Sequence, residues 1–453
     1  MIAEIKKSSS NSQYKKAVIQ VPPSKSHSIR AVLLAAFANA PSQLENILLS
    51  GDTKTAFSVI NKLGAEVCFY KNDENLNSVK IIPPKHGILN YLSKKDDLII
   101  DCGNSGSVFY FLGSALSILP IDFILTGDSS ICTRPIAPLL EIYDQLNIQY
   151  EFLSNSETAP IKVYGSKREN HKEKIYLSGI FSQPITGLLL ASVFFDKSIE
   201  INLSRAGELP YLCMTAEWLN TCGIKHTVNA DFTNFKIYGG QNIKPIKKLI
   251  PADWSSAAFP ITAAVVSNKD LELTNLDIND VQGDKKIISI LKKMGATIYC
   301  NPEEKKIHIK ASLKNLKEGI FDCSDIPDTV PALSAISCFI SGKTILKNIE
   351  ICRYKECDRI SVICSELKKI GADINEGKDF LIINGTGGQN LHTAVTDSNR
   401  DHRIGLMLAA LSAGISFKDS EVFKILNADC FDISYPEFIN DIKKLNVNIS
   451  LTD

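Results

Sequence analysis

The strongest constraint on the fold of this chain is a pattern that recurs six times along it. Each copy is an amphipathic stretch, then a Gly or Asn, then a short run of β-forming residues, as in INKLGAEVCFY and LKKMGATIYC. The break residues, which lie 83, 76, 72, 76 and 75 residues apart, are Gly64, Asn147, Gly223, Gly295, Gly371 and Asn446. A near-constant period usually marks copies of one supersecondary unit.

Each copy predicts a helix that ends at a Gly or Asn with positive φ, followed by a strand that folds back. A repeat of about 75 residues is longer than a solenoid repeat, so each copy is a small α/β fold. Such junctions also occur by chance in ordinary α/β proteins, but the even spacing favours a true repeat. We therefore predict an α/β protein of two domains, each with three repeat units around a pseudo-threefold axis.

Composition excludes several classes of protein. Lys and Arg number 50 and so do Asp and Glu, so no net charge attracts nucleic acid or an anionic membrane. Twelve cysteines without regular spacing indicate a reducing, cytoplasmic location. The seven histidines are scattered and no CxxC or HExxH occurs, so we expect no metal site. The apolar runs are too short to span a bilayer. We expect a monomer that binds neither nucleic acid nor membranes.

Positive charges cluster where apolar helices are predicted to begin. The segment VPPSKSHSIR places Lys25 and Arg30 at the start of one helix. The segment DCGNSGS, with Asn104 and Gly106, forms a second helix start suited to a carboxylate or phosphate. Helix N-termini and fixed cations both favour anions, so these segments indicate an anion site.

Three more segments repeat this arrangement. TRPIAPLL puts Arg134 in the first turn of a predicted helix, and SNRDHRIGL brings Arg403 to the start of another. In YKECDRI, Lys355 and Arg359 are four residues apart and would share one helix face. Each segment alone is more often a solvated helix start than a site. Together they predict a cleft that binds a small polyanion.

Carboxylates accompany these cations. Asp328 in IPD and Glu356 in YKECDR supply groups that could move protons in such a cleft. No GxxxxGK[ST] motif occurs, which argues against a nucleoside triphosphatase.

These motifs occur in the order typical of the 5-enolpyruvylshikimate-3-phosphate synthase family, which the chain resembles from end to end. They are PPSKSHSIR, GNSGS, RPIAPL, SQPITGLLL, DWSSAAFP, QGD, IPD, YKECDR and DHR. The resemblance implies a two-domain inside-out α/β barrel of six βαβαββ units, three per domain, with the active site in the interdomain cleft. Residues 1–23 would join residues 252–453 in one domain, and residues 24–251 would form the other.

The resemblance also implies a reaction. The 5-hydroxyl of shikimate 3-phosphate would attack C2 of phosphoenolpyruvate while C3 takes a proton, and the tetrahedral intermediate would then lose phosphate. The product serves chorismate and aromatic amino acid biosynthesis, and no metal or organic cofactor is required. By position Asp328 would be the base, and Glu356 and Lys25 the candidates for protonating the methylene.

The same resemblance implies the binding residues. Those expected to hold phosphoenolpyruvate are Lys25, Arg134, Arg359 and Arg403, with Gly106 and Gln183 lining that half of the site. Asn104 is expected to bind substrate. Those expected to hold the shikimate moiety are Ser26, Arg30, Ser182, Gln183, Tyr211 and Lys355, with Asp328 at the reacting hydroxyl.

Five positions depart from the family's usual pattern: Tyr110, Phe181, Glu208, Ile351 and Ile433. Phe181 stands where a Ser is usual, and Glu208 replaces a Ser that helps to hold the 3-phosphate. A carboxylate beside a phosphate is repulsive, and each hydrogen bond lost to a charged group removes ~1.5–3 kcal/mol.

Three interpretations therefore stay open. They are the synthase with an altered phosphate pocket, an enolpyruvyl transferase for a different alcohol, and a pseudoenzyme that binds an anion without turnover. UDP-N-acetylglucosamine is disfavoured as the acceptor, because Ser26 follows Lys25 where that branch has Asn. The presence of Lys25, Asp328 and Glu356 argues against the pseudoenzyme.

Overall fold

The structure is a computed structural model of the chain, and it describes residues 1–8, 16–95, 98–166, 172–311 and 313–452. By its internal contacts the chain divides into two compact parts. The terminal domain comprises Met1–Pro22 and Pro251–Asp453, and the central domain comprises Pro23–Ile250. A proline therefore stands at each of the two points where the chain passes from one domain to the other.

The helices and strands follow one another in chain order. The terminal domain begins with β1 (Ile2–Lys6) and β2 (Lys16–Gln20). The central domain contains α1 (Lys25–Phe37), β3 (Ser42–Glu45), α2 (Gly51–Lys62), β4 (Glu66–Lys71), β5 (Asn77–Ile82), α3 (Ile88–Leu92), β6 (Leu98–Asp101), α4 (Gly106–Ser117), β7 (Phe123–Thr126), α5 (Ala137–Leu146), β8 (Tyr150–Phe152), β9 (Ile161–Val163), β10 (Lys174–Leu177), α6 (Ser182–Ala191), β11 (Ile199–Leu203), α7 (Leu209–Thr221), β12 (His226–Val228), β13 (Asn234–Ile237) and β14 (Lys247–Leu249). The terminal domain resumes with α8 (Trp254–Val266), β15 (Asp270–Thr274), α9 (Lys286–Met294), β16 (Ile298–Asn301), β17 (Lys306–Ile309), β18 (Ile320–Asp322), α10 (Val330–Cys338), β19 (Gly342–Lys347), α11 (Arg359–Lys369), β20 (Asp373–Glu376), β21 (Phe380–Gly385), β22 (Val395–Asp397), α12 (His402–Leu411), β23 (Val422–Leu426), α13 (Phe438–Lys443) and β24 (Asn448–Thr452). Short 3-10 helices include Ile131–Thr133, Gly283–Lys285 and Glu350–Tyr354.

In the part of the chain that the structure describes, these strands form six four-stranded sheets with one shared topology. In the sheet β6-β7-β9-β8, the first pair is parallel and the other two pairs are antiparallel. The other five sheets show the same sequence of one parallel and two antiparallel pairs. The prediction of an α/β fold with six βαβαββ units is confirmed.

Three of the six sheets are completed by strands from distant parts of the chain. In the terminal domain β2 pairs with β15, and β1 lies between β23 and β24. In the central domain β14 pairs with β3. The two passages between domains therefore separate strands of one repeat unit in the sequence but not in space, so each unit keeps its four-stranded sheet.

The break residues have the predicted backbone conformation. All six have positive φ, from 55° at Asn147 to 108° at Gly295. Glycine is required at Gly371, where a Cβ would lie 2.4 Å from the carbonyl oxygen of Asn390. A left-handed residue ends the helix and turns the chain back into the next strand.

Six of the helices are almost entirely buried, three in each domain: α1, α4, α6, α8, α10 and α12. In the terminal domain α8, α10 and α12 pack against one another, with sheets around them. In the central domain α4 and α6 approach closely, since a Cβ at Gly187 would lie 2.3 Å from the carbonyl oxygen of Phe111. This inside-out arrangement places the sequence motifs at the N-termini of the central helices.

Two further features bear on the expectations from composition. Within the described residues no helix combines the length and apolarity needed to cross a membrane. All twelve cysteines lie within the described residues, and the structure assigns none of them to a disulfide bond.

Candidate functional site

Lys25 is the first residue of α1, and its ammonium nitrogen lies 3.0 Å from Oδ2 of Asp52. Asp52 stands in the first turn of α2, and both side chains are largely buried, at 11% and 6% exposed. The hydroxyl of Ser24 accepts a hydrogen bond from the backbone N–H of His27 and caps α1. Asp52 thus fixes the position of the Lys25 ammonium group. Sequence analysis did not identify Asp52, whose signal is an acidic residue in the first turn of a helix.

Arg134 lies against the first turn of α4. A Cβ at Gly106 would be 2.2 Å from Nη1 of Arg134, so a side chain at this position would displace the guanidinium from where it lies. Nη2 donates a hydrogen bond to the carbonyl of Asn104 at 3.2 Å. The prediction that Arg134 lies in the first turn of a helix is wrong. It ends the short 3-10 helix, and α5 begins only at Ala137, because Pro135 restricts Arg134 to extended backbone.

Two side chains hold this region together. The hydroxyl of Tyr110 donates to the carbonyl of Pro135 at 2.6 Å, which fixes the residue after Arg134. The amide of Gln183 donates to the hydroxyl of Ser107 at 3.1 Å and joins the start of α6 to the start of α4. The predicted residues around Arg134 therefore form one polar cluster.

Arg30 is buried at the junction of three helices. Its guanidinium donates to the hydroxyls of Thr215 (3.1 Å) and Thr186 (3.3 Å). It also donates to the carbonyls of Ser26 (3.1 Å) and Tyr211 (3.3 Å). Burial lowers the pKa of Arg30 to about 10. Arg30 thus links α1, α6 and α7, and it brings the predicted Ser26 and Tyr211 together.

Ser182 begins α6, and the carboxylate of Glu208 lies at the same point. Oε2 of Glu208 accepts hydrogen bonds from the backbone N–H of Ser182 at 3.2 Å and from its hydroxyl at 2.9 Å. Glu208 is buried and has a φ of 49°, in the left-handed region. Phe181, at the N-cap position of α6, has no side-chain acceptor to offer. A carboxylate from another loop therefore caps α6.

In the terminal domain, Arg359 is surrounded by carboxylates. It begins α11, and it donates from Nε to Asp401 (2.7 Å), from Nη1 to Asp328 (2.6 Å) and from Nη2 to Glu356 (2.7 Å). Burial opposes the charged form, but the charges of the three carboxylates together raise the pKa of Arg359 well above its usual value. The structure thus joins three of the predicted residues, Asp328, Glu356 and Arg359, in one network.

Arg403 is the second cation of this network. Its Nη2 lies 3.1 Å from Oδ2 of Asp328 and donates to the hydroxyl of Ser255 at 2.8 Å. Asp328 therefore bridges Arg359 and Arg403. Arg403 is 1% exposed, yet its Nε and Nη1 have no hydrogen-bond partner among the described residues. A buried donor without an acceptor costs about 1–3 kcal/mol, so these two N–H groups indicate a site for an anion.

The backbone conformation of Lys355 differs from the predicted helix. Lys355 follows the 3-10 helix Glu350–Tyr354 with extended backbone, at φ −90° and ψ −152°. The side chain of Asp358 caps α11 by accepting from the backbone N–H of Ser361 at 3.1 Å, so the helix starts at Arg359. The prediction that Lys355 and Arg359 share one helix face is therefore wrong.

Comparison with known proteins identifies the family. Residues 10–442 match the family model described as EPSP synthase (3-phosphoshikimate 1-carboxyvinyltransferase). The chain belongs to the EPSP synthase family. It is 37% identical over 436 residues to the 3-phosphoshikimate 1-carboxyvinyltransferase of Methanocaldococcus jannaschii, covering 96% of each chain. The protein of the same name from Ruminiclostridium cellulolyticum is 34% identical over 433 residues, which cover 96% of this chain and 97% of that one.

A solved EPSP synthase from Acinetobacter baumannii has the same fold. Its TM-score is 0.76 at 23% sequence identity, and the match covers 100% of both chains. This likeness supports the two-domain α/β architecture.

Sequence analysis gave no role to three carboxylates, although they lie in the motifs DWSSAAFP, QGD and DHR. Asp253 caps α8 and Asp401 caps α12. Asp284 lies in the 3-10 helix Gly283–Lys285. The available signal was an acidic residue directly before an apolar helix, which also fits ordinary capping. No group of three or more metal-binding side chains occurs in the part of the chain described.

Proposed function

We propose that this protein is a 3-phosphoshikimate 1-carboxyvinyltransferase. It transfers the enolpyruvyl group of phosphoenolpyruvate to the 5-hydroxyl of shikimate 3-phosphate and releases phosphate, a step in chorismate and aromatic amino acid biosynthesis. Family membership over residues 10–442 supports this assignment. The structural observation that carries it is Arg403, which contacts the carboxylate of Asp328 through Nη2 while its buried Nε and Nη1 have no hydrogen-bond partner among the described residues.

In the proposed reaction, Arg403 presents Nε and Nη1 to an anionic group of phosphoenolpyruvate. Arg359 is the second cation, and its donors are shared with carboxylates that the substrate must partly displace. Asp328 bridges both arginines, so an anion that binds them weakens its ion pairs. A carboxylate with weaker ion pairs is a stronger base, and Asp328 then takes the proton of the 5-hydroxyl.

The second proton transfer is to C3 of phosphoenolpyruvate. Glu356, which lies 2.7 Å from Nη2 of Arg359, and Lys25, which pairs with Asp52, are the two proposed donors. Substitution of Glu356 removes a proton donor but no binding cation, so we expect kcat to fall with little change in the KM for phosphoenolpyruvate. Loss of Lys25 removes a binding cation as well, so both constants change.

The remaining predicted residues are assigned to binding, and residues of both domains serve this one reaction. Phosphoenolpyruvate is bound by Arg403 and Arg359 together with Lys25, Asn104, Gly106, Arg134 and Gln183. The shikimate moiety is bound by Ser26, Arg30, Ser182, Gln183, Tyr211 and Lys355. We propose that the enzyme works as a cytoplasmic monomer without metal or organic cofactor, and the twelve irregularly spaced cysteines of the sequence support a reducing compartment.

A second function is favoured by one observation. The carboxylate of Glu208 lies at the start of α6, beside residues assigned to the acceptor. A negative group at this point disfavours a phosphorylated acceptor, so the alternative is an enolpyruvyl transferase for a different alcohol.

The deciding experiment measures phosphate release from phosphoenolpyruvate in the presence and absence of shikimate 3-phosphate. We expect release that requires shikimate 3-phosphate and that Asp328→Asn reduces by at least a hundredfold. Release with unphosphorylated alcohols but not with shikimate 3-phosphate would establish the second function. Absence of release with any alcohol, in protein that binds phosphoenolpyruvate, would contradict both.

A further inference from the structure

Asp284 is a buried carboxylate to which the mechanism above gives no role. It lies in the 3-10 helix Gly283–Lys285 and is 4% exposed. Its Oδ1 accepts a hydrogen bond from the hydroxyl of Thr329 at 2.5 Å. Thr329 directly follows Asp328, so Asp284 lies behind the proposed base rather than in contact with solvent.

The charges around Asp284 come from three elements. Arg403 of α12 attracts its negative charge, whereas Asp328, before α10, and Asp253, the N-cap of α8, repel it. The lysines of its own segment are directed elsewhere. Lys285 donates to the carbonyls of Ile278 and Asp280, and Lys286 lies 3.9 Å from Asp325. Burial, followed by the charge of Asp328, raises the pKa of Asp284 to about 7.

The network around Arg359 and Arg403 contains more carboxylates than guanidinium groups. Its five acidic members are Asp253, Asp284, Asp328, Glu356 and Asp401. Nε and Nη1 of Arg403 have no hydrogen-bond partner among the described residues. An anion that binds there adds further negative charge and takes up part of the attraction that Arg403 exerts on Asp284.

We propose that phosphoenolpyruvate binds to the terminal domain together with one proton from solvent, and that the carboxylate of Asp284 takes up this proton. The proposal rests on the proposed function, since it names that substrate. The proton comes from water or buffer, binds to a carboxylate oxygen of Asp284 and neutralises it. The O–H or N–H bond of the hydronium ion or buffer acid breaks as the O–H bond to Asp284 forms, and the conjugate base stays in solution.

Asp284 is better suited to this role than the other four carboxylates. Asp328, Glu356 and Asp401 are each ion-paired with Arg359. Oδ1 of Asp253 accepts from the backbone N–H and hydroxyl of Ser255 and from the N–H of Ser256. Asp284 forms a single hydrogen bond among the described residues, and a protonated carboxyl group can still accept it from Thr329.

Proton-linked binding makes the affinity for phosphoenolpyruvate depend on pH. Below pH 7 Asp284 already carries its proton and binding needs none. Above pH 7 the proton must be taken up, so the affinity falls about tenfold for each further pH unit. Asp284 acts through Arg403 and Asp328 and is therefore a positioning residue.

The test uses the full-length protein and titration calorimetry with phosphoenolpyruvate alone at pH 7.5 to 8, in two buffers with different enthalpies of ionisation. We expect the apparent binding enthalpy of the wild type to differ between the buffers, in the direction of proton uptake. Asp284→Asn should remove most of this difference. The matched control is Asp441→Asn, because Asp441 is also buried and accepts from a hydroxyl, that of Tyr435, at 2.9 Å.

A second readout is the pH dependence of the KM for phosphoenolpyruvate. Above pH 7 the KM for phosphoenolpyruvate should rise more steeply with pH in the wild type than in Asp284→Asn. The difference in slope should be about a factor of ten per pH unit. Equal buffer dependence in wild type and Asp284→Asn, or parallel pH profiles, would overturn the proposal. Phosphate release is measured on the same preparations. Wild-type turnover without proton uptake refutes this proposal alone, whereas the absence of turnover refutes the proposed function.

Discussion

Oε2 of Glu208 accepts hydrogen bonds from both the backbone N–H and the hydroxyl of Ser182, at 3.2 Å and 2.9 Å. This contact connects two departures from the family pattern. Phe181 cannot cap α6, and Glu208 supplies the missing acceptor from the loop before α7. Because a helix N-terminus favours negative charge, the carboxylate stabilises α6 and occupies its anion-binding end. Glu208 thus compensates for the capping side chain that Phe181 lacks.

Removal of this cap should lower the free energy of unfolding, and by an amount that depends on whether residue 181 is Phe or Ser. Glu208→Ala should cost ~1–2 kcal/mol, because α6 loses its only side-chain cap among the described residues. In a Phe181→Ser background the new hydroxyl can cap α6, so the cost of Glu208→Ala should fall by ~1 kcal/mol. Denaturant unfolding of the four proteins of this double-mutant cycle measures the coupling.

Glu141 provides a matched control for this cycle. Its carboxylate oxygens accept from the backbone N–H and the hydroxyl of Ser178, at 2.5 Å and 2.8 Å, but Ser178 does not begin a helix. Glu141→Ala should therefore be additive with Phe181→Ser. Additivity of Glu208→Ala with Phe181→Ser as well would show that Glu208 does not replace the cap.

The same contact should set the affinity for the acceptor. Glu208→Ser and Glu208→Gln remove a negative charge beside Ser182, so the KM for shikimate 3-phosphate should fall by about tenfold, equivalent to ~1.4 kcal/mol. The KM for phosphoenolpyruvate should change little. Steady-state kinetics of wild type, both variants and the control Glu141→Gln measures this. An increase in the shikimate 3-phosphate KM in both variants would mean that Glu208 supports acceptor binding.

Lys25 should be needed for both activity and stability, because its buried ion pair with Asp52 is broken by substitution. Lys25→Met should reduce kcat by at least a hundredfold and should cost ~3 kcal/mol, since a buried carboxylate loses its partner. The double variant Lys25→Met with Asp52→Asn should recover most of the stability and none of the activity. Thermal unfolding and phosphate release separate the two effects. If the double variant is as unstable as Lys25→Met, the ion pair is not what stabilises this region.

The sequence predicted the repeat and the positions of most charged residues, but not their partners. The left-handed Gly and Asn breaks have a local cause, so a single sequence reveals them. By contrast, Asp52 is 27 residues from Lys25 and Asp401 is 42 residues from Arg359, and such pairs depend on how helices pack. The sequence likewise suggested that Glu208 would only repel a phosphate. Its contact with Ser182 depends on the approach of two loops that no local pattern encodes.

Asp284 should make the stability of the protein fall as the pH rises. Its pKa is raised by burial and by the charge of Asp328 to about 7 in the folded protein, against 3.8 for a free aspartate. Between these two values the folded state binds more protons than the unfolded state, so the free energy of unfolding decreases with increasing pH. Above pH 7 this decrease in the free energy of unfolding is complete. At ~1.4 kcal/mol per pKa unit it amounts to ~4 kcal/mol at most.

Asp284→Asn should therefore be more stable than the wild type above pH 7, and the difference should disappear towards pH 4. Asp322→Asn is the control of opposite sign. Burial tends to raise the pKa of Asp322, but hydrogen bonds from Ser324 and Asn348 outweigh it and lower the pKa. Asp322→Asn should thus be the less stable protein at neutral pH, by a smaller amount because this side chain is exposed. Urea unfolding of the three proteins from pH 4 to pH 8 tests both signs. A wild type that is more stable than Asp284→Asn at pH 8 would show that the carboxylate of Asp284 stabilises the network in its charged form.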